Sequence, residues 1–202
     1  KTIQKTSLTW SFNFNFTIPR NELKSFQNFK ASNYASLLEL GTDITRITGY
    51  KFEDVDPSTG VPVYAGQIGS SSTNPYYNYT VGKQTPDFYG GFGNTIAFKG
   101  WQFDIFAQFA KQKSLGSIQY TTGANGTNNY LLFANRWQQP GDITTIPKAS
   151  TFSDFYYANS SANIFDASYL RVKNITLCYR FPEKWLWRNK IEGIKIYFQG
   201  QN

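Results

Sequence analysis

Apolar and polar residues alternate along this chain in runs too long and too regular for helices. In "TWSFNFNFTI" (9–18), Trp10, Phe12, Phe14, Phe16 and Ile18 alternate with Ser11, Asn13, Asn15 and Thr17. A period of two puts these aromatics on one side of an extended strand, whereas a helix would scatter them around its axis. Pro19 cannot donate to a ladder and ends the run. The pattern returns in "DFYGGFGNTIAFKGWQFDIFAQFAKQ" (87–112), where the alternation stops at Lys99-Gly100 and restarts. That predicts a hairpin with Phe98, Trp101, Phe103, Ile105 and Phe109 on one face and Gln102, Asp104 and Gln108 on the other. Gly100 suits the positive φ of a tight turn, although lysine is not the usual residue before it.

Three further stretches read as strands: the less regular "LLELGTDITRITGYKFEDV" (37–55), "SYLRVKNITLCYRF" (168–181, stopped by Pro182) and "GIKIYFQGQ" (193–201). The connections at 99–100 and 182–192 are short. Those at 54–87 and 113–166 are long and irregular, and 19–41 is intermediate. Strands of eleven or twelve residues, at ~3.3 Å each and tilted by about 40°, rise roughly 25–30 Å, the height of the apolar band of a membrane barrel. Strands in soluble proteins average only about five or six residues. The expected fold class is all-β: an antiparallel transmembrane β-barrel segment of about six strands, with short periplasmic turns and long extracellular loops. The residues expected to face lipid are Trp10, Phe12, Phe14, Phe16, Phe98, Trp101, Phe103, Ile105 and Phe109. A soluble sheet with one buried face would show the same parity. In the fifth strand Arg171 and Lys173 share parity with Ile175, Leu177, Tyr179 and Phe181. Either those charges lie above the apolar band, or a bulge shifts the register.

Composition fits the alternation. Aromatics make up 18% and charged residues 16%, the latter below the roughly 25% usual in soluble domains. No run approaches the roughly 18 apolar residues of a membrane-spanning helix, which leaves a barrel open. One cysteine, Cys178, excludes an internal disulfide, and the absence of histidine removes the commonest general base and metal ligand. The net charge of +7 is scattered without a dense basic run, so no nucleic-acid partner is expected. Arg20, Lys24, Lys30, Lys99, Arg180, Lys184, Arg188 and Lys190 fall near the predicted short-turn end, against Glu22, Glu183 and Glu192. Trp185 and Trp187 fall where an interfacial aromatic girdle would lie. The opening "KTIQKTSLTW" lacks the apolar segment of a signal peptide.

The long loops carry the candidate contact residues Tyr76, Tyr77, Tyr79, Trp137, Phe155, Tyr156 and Tyr157. Flat aromatic faces with polar rims suit sugar rings or a partner protein, and suit equally well the packing of loops on one another. In "RWQQPGD" (136–142), Arg136 is placed to clamp a carboxylate, Asp142 being the nearest candidate. Asp54, Asp56, Ser58 and Gly60 resemble part of a calcium loop without its closing glutamate, so a turn is expected and no metal site. Carboxylates are sparse, with no nucleophile motif and no phosphate loop, so neither an enzyme nor a cofactor is expected.

Five stretches together resemble the SusC/RagA family of TonB-dependent outer-membrane transporters of Bacteroidetes-type bacteria. They are "GYKFEDVDPSTG" (49–60), "PDFYGGFGNTIAFKGWQFDIFAQF" (86–109), "NRWQQPGDITTIPK" (135–148), "DASYLRVKNITLCYRFPEKWL" (166–186) and "IYFQGQN" (196–202). The resemblance implies that residues 1–202 are part of the C-terminal domain of a longer protein, a 22-stranded barrel filled by a plug. Nothing in the chain matches the plug or the TonB-contacting segment. It further implies an outer-membrane location, a SusD-like surface lipoprotein as partner, TonB as energy link, and an oligosaccharide or peptide as substrate. Two alternatives stand beside it: a soluble secreted carbohydrate-binding β-domain, and a SusC-like barrel serving as a structural subunit of a surface assembly.

Overall fold

The computed structural model describes residues 2–5, 7–35, 37–66, 79–116, 134–150, 155–186 and 191–202. Among them the strands, in chain order, are β1 (Thr2–Lys5), β2 (Leu8–Thr17), β3 (Arg46–Gly49), β4 (Phe52–Val55), β5 (Pro62–Tyr64) and β6 (Tyr79–Lys83). They continue with β7 (Phe88–Phe98), β8 (Trp101–Lys111), β9 (Lys113–Leu115), β10 (Ile164–Asp166), β11 (Tyr169–Arg180) and β12 (Lys195–Gln201). Two single-turn helices, α1 (Phe155–Ala158) and α2 (Glu183–Leu186), complete the set. The chain divides into two units. One gathers residues 1–19, 86–112 and 168–202; the other gathers 20–85 and 113–167.

The first unit is a six-stranded antiparallel sheet in the order β1-β2-β7-β8-β11-β12. The predicted hairpin is β7 and β8, paired from Phe98↔Trp101 to Phe88↔Lys111 without a slip. Lys99 (φ 46) and Gly100 (φ 88) are both left-handed, as a two-residue type I′ turn requires, so the lysine occupies a position that asparagine or glycine usually fills. The Lys99 ammonium lies over the Phe98 ring, 5.2 Å from its centroid. The strand read at 37–55 is a correction. It does not enter the sheet but breaks into turns, β3 and β4, while β2 pairs directly with β7 from Leu8↔Phe98 to Thr17↔Tyr89. The sixth strand of the sheet is instead β1, paired with β2. Its four residues are too few to show a period.

This correction makes the connections regular. The sheet strands join alternately by short links (β1 to β2, β7 to β8, β11 to β12) and by two long excursions, from β2 to β7 and from β8 to β11. Arg20, Lys24 and Lys30 therefore belong to a long excursion and not to the short-turn end, where Lys99, Arg180 and Lys184 remain and Lys195, paired with Arg180, joins them.

The second unit is made of those excursions. It holds the two-stranded pairs β3–β6, β4–β5 and β9–β10. Its packed centre, among the described residues, is Ile146 and Tyr157 with Phe52 and Ala162 against them.

Candidate functional site

The two faces of the sheet follow from register, because directly paired residues share a face. Trp10↔Ile96↔Phe103↔Leu177↔Phe198 forms one row across five strands. Phe14↔Phe92↔Ala107↔Val172 forms another, nearer the long excursions. This apolar face is open: Phe14 is 57% exposed, Trp101 51%, Leu170 68% and Phe198 73%. All nine residues expected to face lipid lie on it, as do Ile3, Leu8, Phe88, Ile175, Tyr179 and Ile196.

Aromatic side chains gather toward both ends of the strands. Phe14, Phe16, Phe88 and Phe109 form one cluster, with centroids 5.4–6.4 Å apart, toward the long excursions. Phe109 lies over Gly90, where an added Cβ would come within 2.7 Å of the ring. At the short-turn end Trp101, Tyr179, Phe181 and Trp185 form a chain with centroids 4.7, 5.0 and 6.4 Å apart. Between the two clusters the face is mainly aliphatic and phenylalanine. Membrane barrels carry such girdles at both interfaces. Trp187, expected beside Trp185, lies outside the described residues.

The opposite face is polar. Thr95 donates to one Asp104 carboxylate oxygen (2.7 Å) and the Gln102 amide to the other (2.8 Å). Asn13, Gln108, Thr176 and Gln199 share this face, and so does Phe106, opposite Gly93. The charge conflict in β11 is settled by a bulge between Val172 and Asn174. On its far side Leu170 and Val172 pair with Phe109 and Ala107, while Arg171 pairs with Gln108 on the polar face. Neither charge interrupts the apolar rows.

The loop unit brings several candidate aromatics together. Helix α1 sets Tyr156 edge-on to Tyr50 (4.8 Å, 84°) and Tyr157 edge-on to Phe52 (5.6 Å, 83°). Tyr64 joins them, 6.0 Å from Tyr50 and 6.2 Å from Tyr156. Tyr157 is buried, and its hydroxyl donates to the Thr145 carbonyl (3.3 Å). Phe155 touches Tyr50 at 6.4 Å but stays 60% exposed. Tyr79 opens β6 opposite Gly49 and is half-buried. Tyr76 and Tyr77 lie outside the described residues. Sequence reasoning missed Tyr50, Phe52 and Tyr64; Tyr50 and Phe52 do alternate in "GYKFEDV", but inside a stretch assigned to the sheet.

Trp137 is seated on the turn that begins at Asp56. Its indole N–H donates to the Pro57 carbonyl (2.9 Å), and its ring covers Gly60, where a Cβ would stand 2.5 Å from the ring carbons. Gly60 (φ 71) also needs the left-handed backbone, so two constraints select glycine there. The Asp56 carboxylate closes the turn by accepting from the Ser58 amide and hydroxyl and the Thr59 hydroxyl (2.6–2.8 Å). Those bonds, that of the Ser58 hydroxyl foremost, hold its pKa below the ordinary value. Asp142 accepts from the Gln138 and Gln139 amides (2.9 and 3.0 Å), closing the loop for which an Arg136 clamp was expected. At Asp43 burial acts upward, yet bonds from Thr45 and Thr85 outweigh it and lower the pKa. Arg46, buried, is ion-paired with the exposed Glu39.

No protein-family model matches the chain. TonB-dependent receptor P3 of Formosa agariphila is 24% identical over all of the chain, and TonB-dependent receptor P26 of the same organism is 23% identical over 82% of it. The chain spans 23% and 18% of their respective lengths. Among solved structures, the RagAB peptide transporter superposes over the whole chain with a TM-score of 0.77 at 22% identity, the chain covering 24% of it. The RagAB peptide importer in its 'open-open' state gives 0.75 at 20% identity. In sequence this chain resembles TonB-dependent receptors from end to end, and in fold it is a stretch of the antiparallel β-barrel wall on which such SusC/RagA-type transporters are built.

Proposed function

We propose that the chain forms barrel wall and extracellular loops of a TonB-dependent outer-membrane transporter. The observation that carries this reading is the two-faced sheet: long strands, an open apolar face banded by aromatics, a polar reverse, and excursions that leave from one end only. In this reading Trp10, Phe12, Phe14, Phe16, Phe98, Trp101, Phe103, Ile105 and Phe109 face lipid hydrocarbon. The six sheet strands among the described residues cannot close, since bacterial single-chain barrels have at least eight, so the wall is completed by further strands, of the same polypeptide or of another chain. The chain contributes structure and recognition surface, not chemistry.

The whole protein imports an oligosaccharide or a peptide, with a SusD-like lipoprotein at its extracellular mouth and TonB driving the plug. The names of its relatives support the receptor class, and the peptide traffic of RagAB favours a peptide without excluding a sugar. Phe155, the most exposed of the described candidate aromatics, is the loop residue best placed to touch substrate or lipoprotein. Fractionation of the native protein tests the reading: it should sediment with the outer membrane and need detergent for extraction. Phe103→Arg should cost about 2–4 kcal/mol of stability in a bilayer if it lies at the midplane. Release into buffer without detergent, or a neutral Phe103→Arg, would overturn it.

A further inference from the structure

The polar face of the sheet carries, at its short-turn end, two cations that nothing beside them neutralises. Arg180, the last residue of β11, and Lys195, the first of β12, pair directly across the ladder. Like charges in direct opposition destabilise a sheet, because their Cβ atoms stand only about 5 Å apart. Both residues are exposed, and neither has an ion-pair partner among the described residues. Asp104, the one carboxylate on this face of the described strands, is held by Thr95 and Gln102. Glu183 and Glu192 lie on the link between β11 and β12 but do not line the hollow that the two cations border. That hollow, of about 590 Å³, is walled by Gln4, Thr9, Gln102, Arg180 and Lys195, with Lys99 of the hairpin turn at its edge. Its size is that of a small-ligand pocket. The backbone around it is tied down, since the Arg180 amide donates to the Gly100 carbonyl (2.8 Å).

A guanidinium offers a planar fork of donors that grips a carboxylate with two parallel bonds, and an ammonium beside it adds a third donor and a second charge. An anion seated between them removes the repulsion that the register imposes. The amides of Gln4 and Gln102 and the hydroxyl of Thr9 add neutral partners for a polar chain entering the hollow. We propose that the hollow is a carboxylate-binding site, in which Arg180 and Lys195 together hold the terminal carboxylate of a short peptide. This rests on the transporter reading, in which the polar face lines the lumen and a peptide is the cargo. Every peptide ends in a carboxylate, so the site recognises cargo whatever its side chains. Because both cations are exposed, salt screens the attraction and the hold is weak, as suits a site that cargo must leave.

The test uses the full-length protein in nanodiscs, with a bimane label on Ser11→Cys, two residues from Thr9 on the same face and outside the hollow. The peptide Gly-Gly-Trp, whose indole quenches bimane on contact, should quench at least threefold more efficiently with a free carboxylate than as the C-terminal amide. Arg180→Gln combined with Lys195→Gln should bring acid and amide to parity. Lys184→Gln, which removes a cation of the same end outside the hollow, should leave the preference intact. The exchange Arg180→Lys with Lys195→Arg, which keeps both charges, should keep most of it. Equal quenching by acid and amide, or a preference that survives the loss of both cations, overturns the site. Absence of quenching by either peptide overturns it too; a melting temperature lowered by the double variant but not by Lys184→Gln then assigns the cations to an acid of the protein itself. A nitrobenzoxadiazole probe on Phe12→Cys, read separately, keeps the two readings apart. Its quenching by nitroxide-labelled phospholipid leaves the barrel reading standing when the site fails, and a position 12 untouched by lipid overturns both.

Discussion

Asn94 is an amide in the middle of the apolar face, between Phe12 and Ile105 in the register. Its carbonyl oxygen accepts from the Trp10 indole N–H at 2.6 Å, so two polar groups satisfy each other where lipid could satisfy neither. In water each would simply hydrate, and breaking the bond would cost little. Trp10→Phe should therefore destabilise the bilayer-embedded protein by about 1–3 kcal/mol beyond the lost ring contacts. The pair Trp10→Phe with Asn94→Leu should recover most of that penalty, as read by reversible urea unfolding from vesicles. Additive single effects would indicate a hydrated face. In the loops, Asp56 makes a pH prediction with a definite sign. Its pKa in the folded chain lies below its ordinary value of 3.8. Its contribution is thus complete above that value and is lost as pH falls through the depressed one. Protection of the 56–60 amides from hydrogen exchange, corrected for intrinsic rates, should hold at pH 5 and decline below about pH 4. Asp43 predicts the same direction for the amides of Thr45 and Thr85.

The bulge in β11 is the element on which the apolar face depends. Side chains alternate strictly, so one residue more or fewer sends every later side chain to the other face. With the extra residue between Val172 and Asn174, Leu170 and Val172 join Phe109 and Ala107, while Arg171 turns to the polar side. Lys173 is the residue without a partner in that register, so deleting it should leave a regular ladder in which Leu170 and Val172 keep Phe109 and Ala107 as partners and Arg171 stays on the polar face. Heat-modifiable gel mobility of the full protein should show the folded fraction retained after the deletion. Val172→Arg, which puts a charge on the apolar face, should lower it, at a cost of about 2–4 kcal/mol at the midplane and less near an interface. A deletion that unfolds the protein as fully as Val172→Arg would contradict this register. The β7–β8 hairpin, by contrast, needs no such device. Its register is set by a two-residue turn and holds for all eleven pairs.

For the whole molecule, the arrangement of short links and long excursions makes a topological prediction. Both excursions leave the sheet from the ends of strands opposite Lys99-Gly100. In intact cells a membrane-impermeant maleimide should label Ile143→Cys, whose native side chain is 92% exposed on an excursion. It should reach Lys99→Cys only after the outer membrane is permeabilised. Cys178 is buried and gives little background within this chain. Equal labelling of both sites in intact cells would contradict the outward orientation of the loops. The resemblance to TonB-dependent receptors spans all of the chain for one relative and 82% of it for the other, but less than a quarter of either relative.

What the sequence determined by itself is local: which stretches are long strands, which side of each is apolar, and where the tight turn falls. Those properties follow from side-chain period and turn chemistry, and they are legible at Trp10–Ile18 and at 87–112 because the pattern there repeats for nine residues or more. The resemblance to the transporter family was legible too, in short stretches that combine those strands with specific loops. Tertiary structure decided the rest. It moved 37–55 out of the sheet, because β3 and β4 find partners in β6 and β5 and four-residue strands have no readable period. It chose between two placements of Arg171, because a bulge is defined by the neighbouring strand and not by its own residues. It also assembled Tyr50, Phe52, Tyr64, Tyr156 and Tyr157 from positions a hundred residues apart. Alternation along a strand is a property of one segment, whereas strand neighbours and loop clusters are long-range contacts, and a single sequence encodes those only through the fold.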